Sequence, residues 1–156
     1  MKVPFLNRLK RQEARPKPQS VTPDLGRLNL KPAEPQPETP AITPDMQAWL
    51  QRDLTNLTGA WDVFAQDPSR HNWQDLAKVV HNLHGASGAY GGGALTRLTE
   101  NLQRLVADHV CAADNKALIN LHVQACQAWA IGNEEARTTL AEAVCEALEQ
   151  QVRKAI

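Results

Sequence analysis

From residue 43 onward, apolar side chains recur every three or four positions along the chain. The first run follows Thr43–Asp45, where a capping hydroxyl, a proline and an acid form a typical helix start. Residues three and four apart share one face of a helix, so this spacing predicts an amphipathic helix that ends at Asp67. Its apolar stripe consists of Met46, Leu50, Leu54, Leu57, Trp61 and Phe64.

Four more segments repeat this helical period. Asn72, with Asp75 three residues later, predicts the cap of a second helix, which Gly91–Gly93 ends because glycine suits a helix terminus. A third helix follows the glycines. A fourth helix begins at Asp114 and has His122 at the edge of its apolar stripe. Gly132 interrupts the helical pattern before the last helix. The second stripe is Leu76, Val79 or Val80, Leu83, Ala86 or Ser87, and Tyr90; the others are Leu95, Leu98, Leu102 and Leu105, then Leu118, Leu121, Ala125 and Trp129, and finally Leu140, Val144, Leu148 and Val152.

No segment alternates with the period of a β-strand. Amphipathic helices on short connections bury their stripes most simply in an antiparallel bundle. The patterning therefore predicts an all-α protein: an antiparallel four-helix bundle with an additional helix.

The first part of the chain has a different composition. Nine of the ten prolines lie in residues 1–44, which carry 8 Lys and Arg against 4 Asp and Glu, whereas residues 45–156 carry 9 against 13. We therefore predict a disordered, basic, Pro-rich tail over residues 1–43 and a helical domain over residues 44–156. The acidic balance of the domain argues against nucleic acid as its partner.

Cysteine content and hydropathy indicate the cellular compartment. The three cysteines, Cys111, Cys126 and Cys145, have no paired spacing, which argues against a disulfide framework or a zinc site. No apolar run is long enough to span a membrane, and no signal peptide is recognisable at the N-terminus. We expect a cytoplasmic protein.

The second helix carries the most informative chemistry. Its face around His81 contains Ala77, Lys78, His84, Gly85 and Gly88, while Leu83 lies on the opposite, apolar face. Glycine inside a helix costs up to about 1 kcal/mol relative to alanine, so these small residues need a reason. Either they let a neighbouring helix approach closely, or they leave space for another protein to reach His81. The coincidence with an exposed histidine favours docking.

This stretch resembles the histidine-containing phosphotransfer (HPt) domain of bacterial multistep phosphorelays. The family pattern has a His, then Leu, usually Lys, Gly and small residues, a further Gly and a Leu. In this chain the pattern falls on His81, Leu83, His84, Gly85, Ala86, Ser87, Gly91 and Leu95. Leu98 and Leu102 continue it into the next helix.

The resemblance implies a phosphocarrier without a kinase domain of its own. His81 would accept a phosphoryl group from the aspartate of one receiver domain and pass it to another. The resemblance also implies that His84 and Lys78 lie near the phosphate, that Gly91 forms the helix junction, and that the docking surface comprises Ala77, Gly85, Ser87 and Gly88.

The implied partners are response-regulator receiver domains and a hybrid histidine kinase. We expect no bound cofactor, because Mg²⁺ would sit on the receiver, and we expect a monomer. Met1 and the lack of kinase or receiver sequence favour a separate protein over the C-terminal module of a hybrid sensor kinase.

His84 and Gly92–Gly93 depart from the family pattern. A lysine is usual at the position of His84, and imidazole gains its charge only near neutral pH. We therefore expect phosphotransfer, or the lifetime of the phosphorylated form, to depend on pH through His84. The substitution His84→Lys should change this pH dependence. Gly92–Gly93 stands where a larger residue is common.

Three other functions compete with the phosphocarrier. A metal site would pair His81 with His84 but needs a third ligand, and a self-sufficient enzyme would need paired titrating groups; neither is present on this face. A plain helical adaptor, in which His81 has no chemical role, stays open.

Overall fold

The structure is a computed structural model that describes residues 42–133, 137–138 and 141–156. The described part of the chain is all-α, as predicted, and contains six helices where the pattern indicated five. The predicted tail up to residue 41 and the stripe residue Leu140 lie outside the described residues. The helices are α1 (Pro44–Gln66), α2 (Arg70–Ser87), α3 (Gly93–Leu105), α4 (His109–Asp114), α5 (Lys116–Ile131) and α6 (Ala141–Ala155).

The first helix follows its sequence signals closely. Thr43 caps α1 by accepting from the N–H of Met46, Pro44 is the first helical residue, and the helix ends at Gln66. The predicted stripe faces the core, with Met46 partly buried and the other five residues buried.

The residue that caps the second helix differs from the predicted one. Ser69, not Asn72, caps α2: its hydroxyl accepts from the N–H of Asn72, so the helix begins at Arg70, three residues earlier than predicted. The side chain of Asn72 instead donates to the backbone and carboxylate of Asp67. This contact ties the end of α1 to the start of α2.

The link between α2 and α3 is built on glycine. Gly91, Gly92 and Gly93 all have positive φ, at 112°, 60° and 54°, a region that side chains with a Cβ rarely adopt. Just before them, Tyr90 is buried and donates its hydroxyl to Asp53 of α1 over 2.6 Å. The chain therefore turns back tightly, and α2 and α3 lie side by side.

The region after α3 departs from the prediction. A short extra helix, α4, begins after Asp108, which caps it by accepting from the N–H of Cys111. In α5 the buried face is displaced from the predicted stripe: Leu121 is half exposed, whereas His122 is fully buried. The reason is that α5 contacts α1, α3 and α6 together, so it buries more than one narrow stripe.

The helices form a connected set around one core. The middle helix α3 packs against α2, α5 and α6, and α1 packs against α2 and α5. Within the described ranges, no helix is both long and apolar enough to cross a membrane.

Candidate functional site around His81

His81 lies in the second half of α2 with its side chain exposed to solvent. Its ring is held from one side only, where Gln103 of α3 donates from Nε2 to Nδ1 of His81 at 3.1 Å. No described residue hydrogen-bonds to Nε2 of His81. The nitrogen far from the backbone therefore faces outward, on a helix fixed to the core by the buried Val80 and Leu83.

The contact with Gln103 is the outermost of three polar pairs across the α2–α3 interface. The next pair joins Nδ1 of His84 to Oγ1 of Thr99 at 3.1 Å, and the third joins the hydroxyls of Ser87 and Thr96 at 3.0 Å. The α2 partners are three residues apart and the α3 partners three or four, so the pairs stack turn by turn between antiparallel helices. We call these three pairs the polar ladder.

Burial increases along the polar ladder away from His81. His81 is exposed, His84 is partly buried, and Ser87 has no accessible surface. The Ser87 hydroxyl donates to the backbone carbonyl of His84 at 2.7 Å. The prediction that Ser87 belongs to the docking surface is therefore wrong, because the residue is enclosed between α2 and α3.

Gly85 and Gly88 lie on open surface. Both are exposed, and a Cβ built on either glycine would meet no atom of another described element within 4 Å. Close packing of a neighbouring helix therefore does not account for these two glycines among the described residues. Close packing does account for the small residue at 87. The two explanations of the small residues in α2 thus apply to different positions.

The remaining predicted site residues occupy three kinds of surroundings. Lys78 is exposed on α2, and Ala77 is half-buried against the core. Gly91 lies in the connection between α2 and α3, where a Cβ would come within 3.9 Å of Ile42 and Trp129. Lys78, Gly85 and Gly88 are therefore exposed on α2, as His81 is.

Arg97 of α3 is occupied by an ion pair. Its Nε donates to Oε1 of Glu149 in α6 at 2.7 Å. This hydrogen bond is the main reason why the pKa of Glu149 lies below its ordinary value and that of Arg97 above it. The pair fastens α6 to α3, which gives Arg97 a structural partner within the chain.

Sequence reasoning overlooked Gln103 and Thr99. A signal for both existed, since a short glycine turn makes α2 and α3 antiparallel neighbours. Once one pair is known, the sum of paired residue numbers is nearly constant, and it places 103 opposite 81 and 99 opposite 84. The missing information was which face of α3 meets α2.

Metal binding gains no additional ligand from the fold. In the part of the chain that the structure describes, no three side chains of His, Cys, Asp or Glu come close enough to share an ion. Comparison of the chain with known protein families, curated proteins and solved structures finds no match.

Proposed function

We propose that the chain is a histidine phosphocarrier that exchanges a phosphoryl group with the aspartate of receiver domains through Nε2 of His81. The observation that carries the proposal is the combination of an outward-facing His81 nitrogen, held at Nδ1 by Gln103, with the open surface at Gly85 and Gly88. A nucleophile on a rigid helix beside bare backbone suits a partner that brings its own catalytic groups.

The proposal includes an HPt-like architecture. In it, α1, α2, α3 and α5 make the antiparallel four-helix bundle, and α4 and α6 are additions. The packing of α1 on α2, α2 on α3, α3 on α5 and α5 on α1 supports this arrangement, because it closes a circuit of four helices.

The chemical step uses the lone pair of Nε2. It attacks the phosphorus of an aspartyl phosphate, the N–P bond forms, and the P–O bond to the aspartate breaks with its electron pair left on the carboxylate. Neutral imidazole has one proton, which must be on Nδ1 for Nε2 to attack. A half-turn of the Gln103 carboxamide would present its oxygen to that N–H.

The deciding experiment is transfer from a receiver domain that carries ³²P on its aspartate. We expect the wild-type chain and His71→Gln to become labelled, and His81→Gln to remain unlabelled. His71 is a suitable control because it is also exposed and also lies on α2. The label should be labile to acid and stable to base, as expected for a phosphorus–nitrogen bond.

A small phosphodonor separates the nucleophile from docking. Phosphoramidate needs no protein surface, so it tests whether His81 itself is reactive. Labelling of His81→Gln by a receiver to the wild-type extent would overturn the proposal. Equal absence of labelling in all three chains, across a panel of receivers and phosphoramidate, would favour a helical adaptor.

A further inference from the structure

The polar ladder contains a hydroxyl whose bonding is decided by its neighbours. Oγ1 of Thr99 is 2.9 Å from the carbonyl oxygen of Leu95 and 3.0 Å from that of Thr96. Both carbonyls can only accept, and a hydroxyl has a single proton to donate. The proton of Thr99 is therefore committed to its own helix, and its oxygen can only accept from the ring of His84.

This assignment fixes the tautomer of His84. The contact between Nδ1 of His84 and Oγ1 of Thr99 is 3.1 Å, so Nδ1 carries the proton and donates it. Neutral His84 then has its lone pair on Nε2. That atom has no described partner and is not among the buried unpartnered atoms, so it reaches solvent.

Resting on the phosphocarrier function, the geometry points to Thr99 as a positioning residue that acts through His84. Thr99 is fully buried and cannot touch a partner or a phosphoryl group itself. It turns Nδ1 of His84 inward, so that Nε2 is the only ring nitrogen offered to the surface one helical turn after His81. In the neutral state this nitrogen is an acceptor, and it becomes a donor to phosphoryl oxygens only after it takes up a proton.

The charges around this stretch come from both helices and from α6. Lys78 on α2 and Glu100 and Arg104 on α3 are exposed, and Arg97 is paired with Glu149 of α6. None of these side chains is hydrogen-bonded to His84 in the described part of the chain. Thr99 is therefore the side chain that sets which nitrogen of His84 holds the proton.

The test reads the tautomer directly. In protein labelled with ¹⁵N-histidine, two-bond ¹H–¹⁵N correlations at alkaline pH distinguish a protonated Nδ1 from a protonated Nε2. We expect the Nδ1–H pattern for His84 in the wild type and in Thr99→Ser, and admixture of the Nε2–H form in Thr99→Val. His122 is an internal control, because it donates from Nδ1 to the carbonyl of Leu118 at 2.8 Å and should not change in either variant.

Function supplies a second readout. Thr99→Val should change the pH profile of transfer from a labelled receiver, because valine lacks the hydroxyl that accepts from His84. Thr99→Ser keeps this hydroxyl and should retain the wild-type profile. An Nε2–H pattern for wild-type His84 would overturn the inference even if Thr99→Val failed to fold. So would a Thr99→Val spectrum identical to that of the wild type. The spectra need no phosphotransfer, so their failure is distinct from failure of the phosphocarrier proposal.

Discussion

Nε2 of Gln103 lies 3.1 Å from Nδ1 of His81, so the helix after the histidine helix holds the ring nitrogen that faces the protein. A ring held at Nδ1 presents Nε2 in a defined direction, and proximity with orientation is a large part of phosphoryl transfer. The pair also couples the reactive residue to the register between α2 and α3.

Replacing Gln103 with methionine should slow phosphorylation of His81 without unfolding the protein. Methionine keeps the length of the side chain but lacks the carboxamide oxygen that would accept from Nδ1–H in the tautomer that reacts through Nε2. Loss of one hydrogen bond worth about 1 kcal/mol slows the step about fivefold. The initial rate of labelling by a phosphorylated receiver measures the effect.

Gln127→Met is the matched control for that change. Gln127 also bridges two helices, donating to Thr58 at 2.7 Å, but it connects α5 to α1. We expect the control to transfer at the wild-type rate. If both variants lost the same share of activity, a general effect on packing would replace the specific role of Gln103.

Gly85→Leu should separate stability from docking. Gly85 is inside α2 with open space around it, so a leucine should fit and raise the free energy of unfolding by up to about 1 kcal/mol. The same side chain would obstruct a receiver next to His81, so we expect receiver-dependent transfer to fall by about tenfold, equivalent to about 1.4 kcal/mol. Labelling by phosphoramidate should be unchanged.

Gly59→Leu controls for the gain in stability. Gly59 is also a helical glycine with open space, but it lies on α1. Urea titrations should show both variants stabilised, while transfer falls in Gly85→Leu alone. Wild-type transfer by Gly85→Leu would mean that the receiver approaches His81 from another direction.

His122 should make the fold sensitive to mild acid. Burial lowers the pKa of His122, and the hydrogen bond from its Nδ1 to Leu118 offsets this only in part. Its Nε2 is buried without a partner in the described structure, so a second proton would have no acceptor. The unfolded chain gains that proton below about pH 6.5, whereas the folded chain does not.

The contribution of His122 to the free energy of unfolding should therefore be constant above about pH 6.5. It should decrease as the pH drops from there towards the lowered pKa that His122 has in the folded state. The slope is at most about 1.4 kcal/mol per pH unit. Denaturant titrations of wild type and His122→Met across this range measure it, with His71→Met as the exposed control. Identical pH profiles for wild type and His122→Met would contradict the assignment.

The fold and the site were predictable to different depths. The first and third helices were predicted correctly because both have a regular apolar stripe and the first also has the cap at Thr43. The stripe of the third helix, Leu95, Leu98, Leu102 and Leu105, is entirely buried. The cap at Ser69 was missed because Asn72 is an equally good capping residue by type. Only the structure shows its side chain bonded back to Asp67.

The candidate site shows where local pattern fails. The exposure of His81, Gly85 and Gly88 follows from one helix projection and agrees with the sequence analysis. Ser87 was misplaced because the family resemblance assigned it to the docking surface, although it continues the buried stripe of Val80 and Leu83 at helical spacing. His122 was misplaced for a different reason, since α5 has three packing partners and buries a wider face than the predicted stripe.

The contact between Tyr90 and Asp53 offers a prediction that depends on no functional assumption. Burial, together with the hydrogen bond to the Asp53 carboxylate, raises the pKa of Tyr90 to about 12. Tyr90 is the one tyrosine in the sequence, so the ultraviolet absorbance of ionised phenol reports on it alone. We expect the folded protein to titrate near pH 12 and Asp53→Asn to titrate closer to the ordinary value of about 10.

The same shift makes stability depend on alkaline pH. Because the folded pKa is raised, the contribution is fully present below the unfolded value of about 10 and is lost as the pH rises towards 12. Tyr90→Phe should lower the free energy of unfolding at neutral pH by about 1–2 kcal/mol, because it removes a hydrogen bond to a charged group. It should also abolish this alkaline dependence. Ionisation of Tyr90 near pH 10 in the folded wild type would show that the phenol is not held by Asp53 in solution.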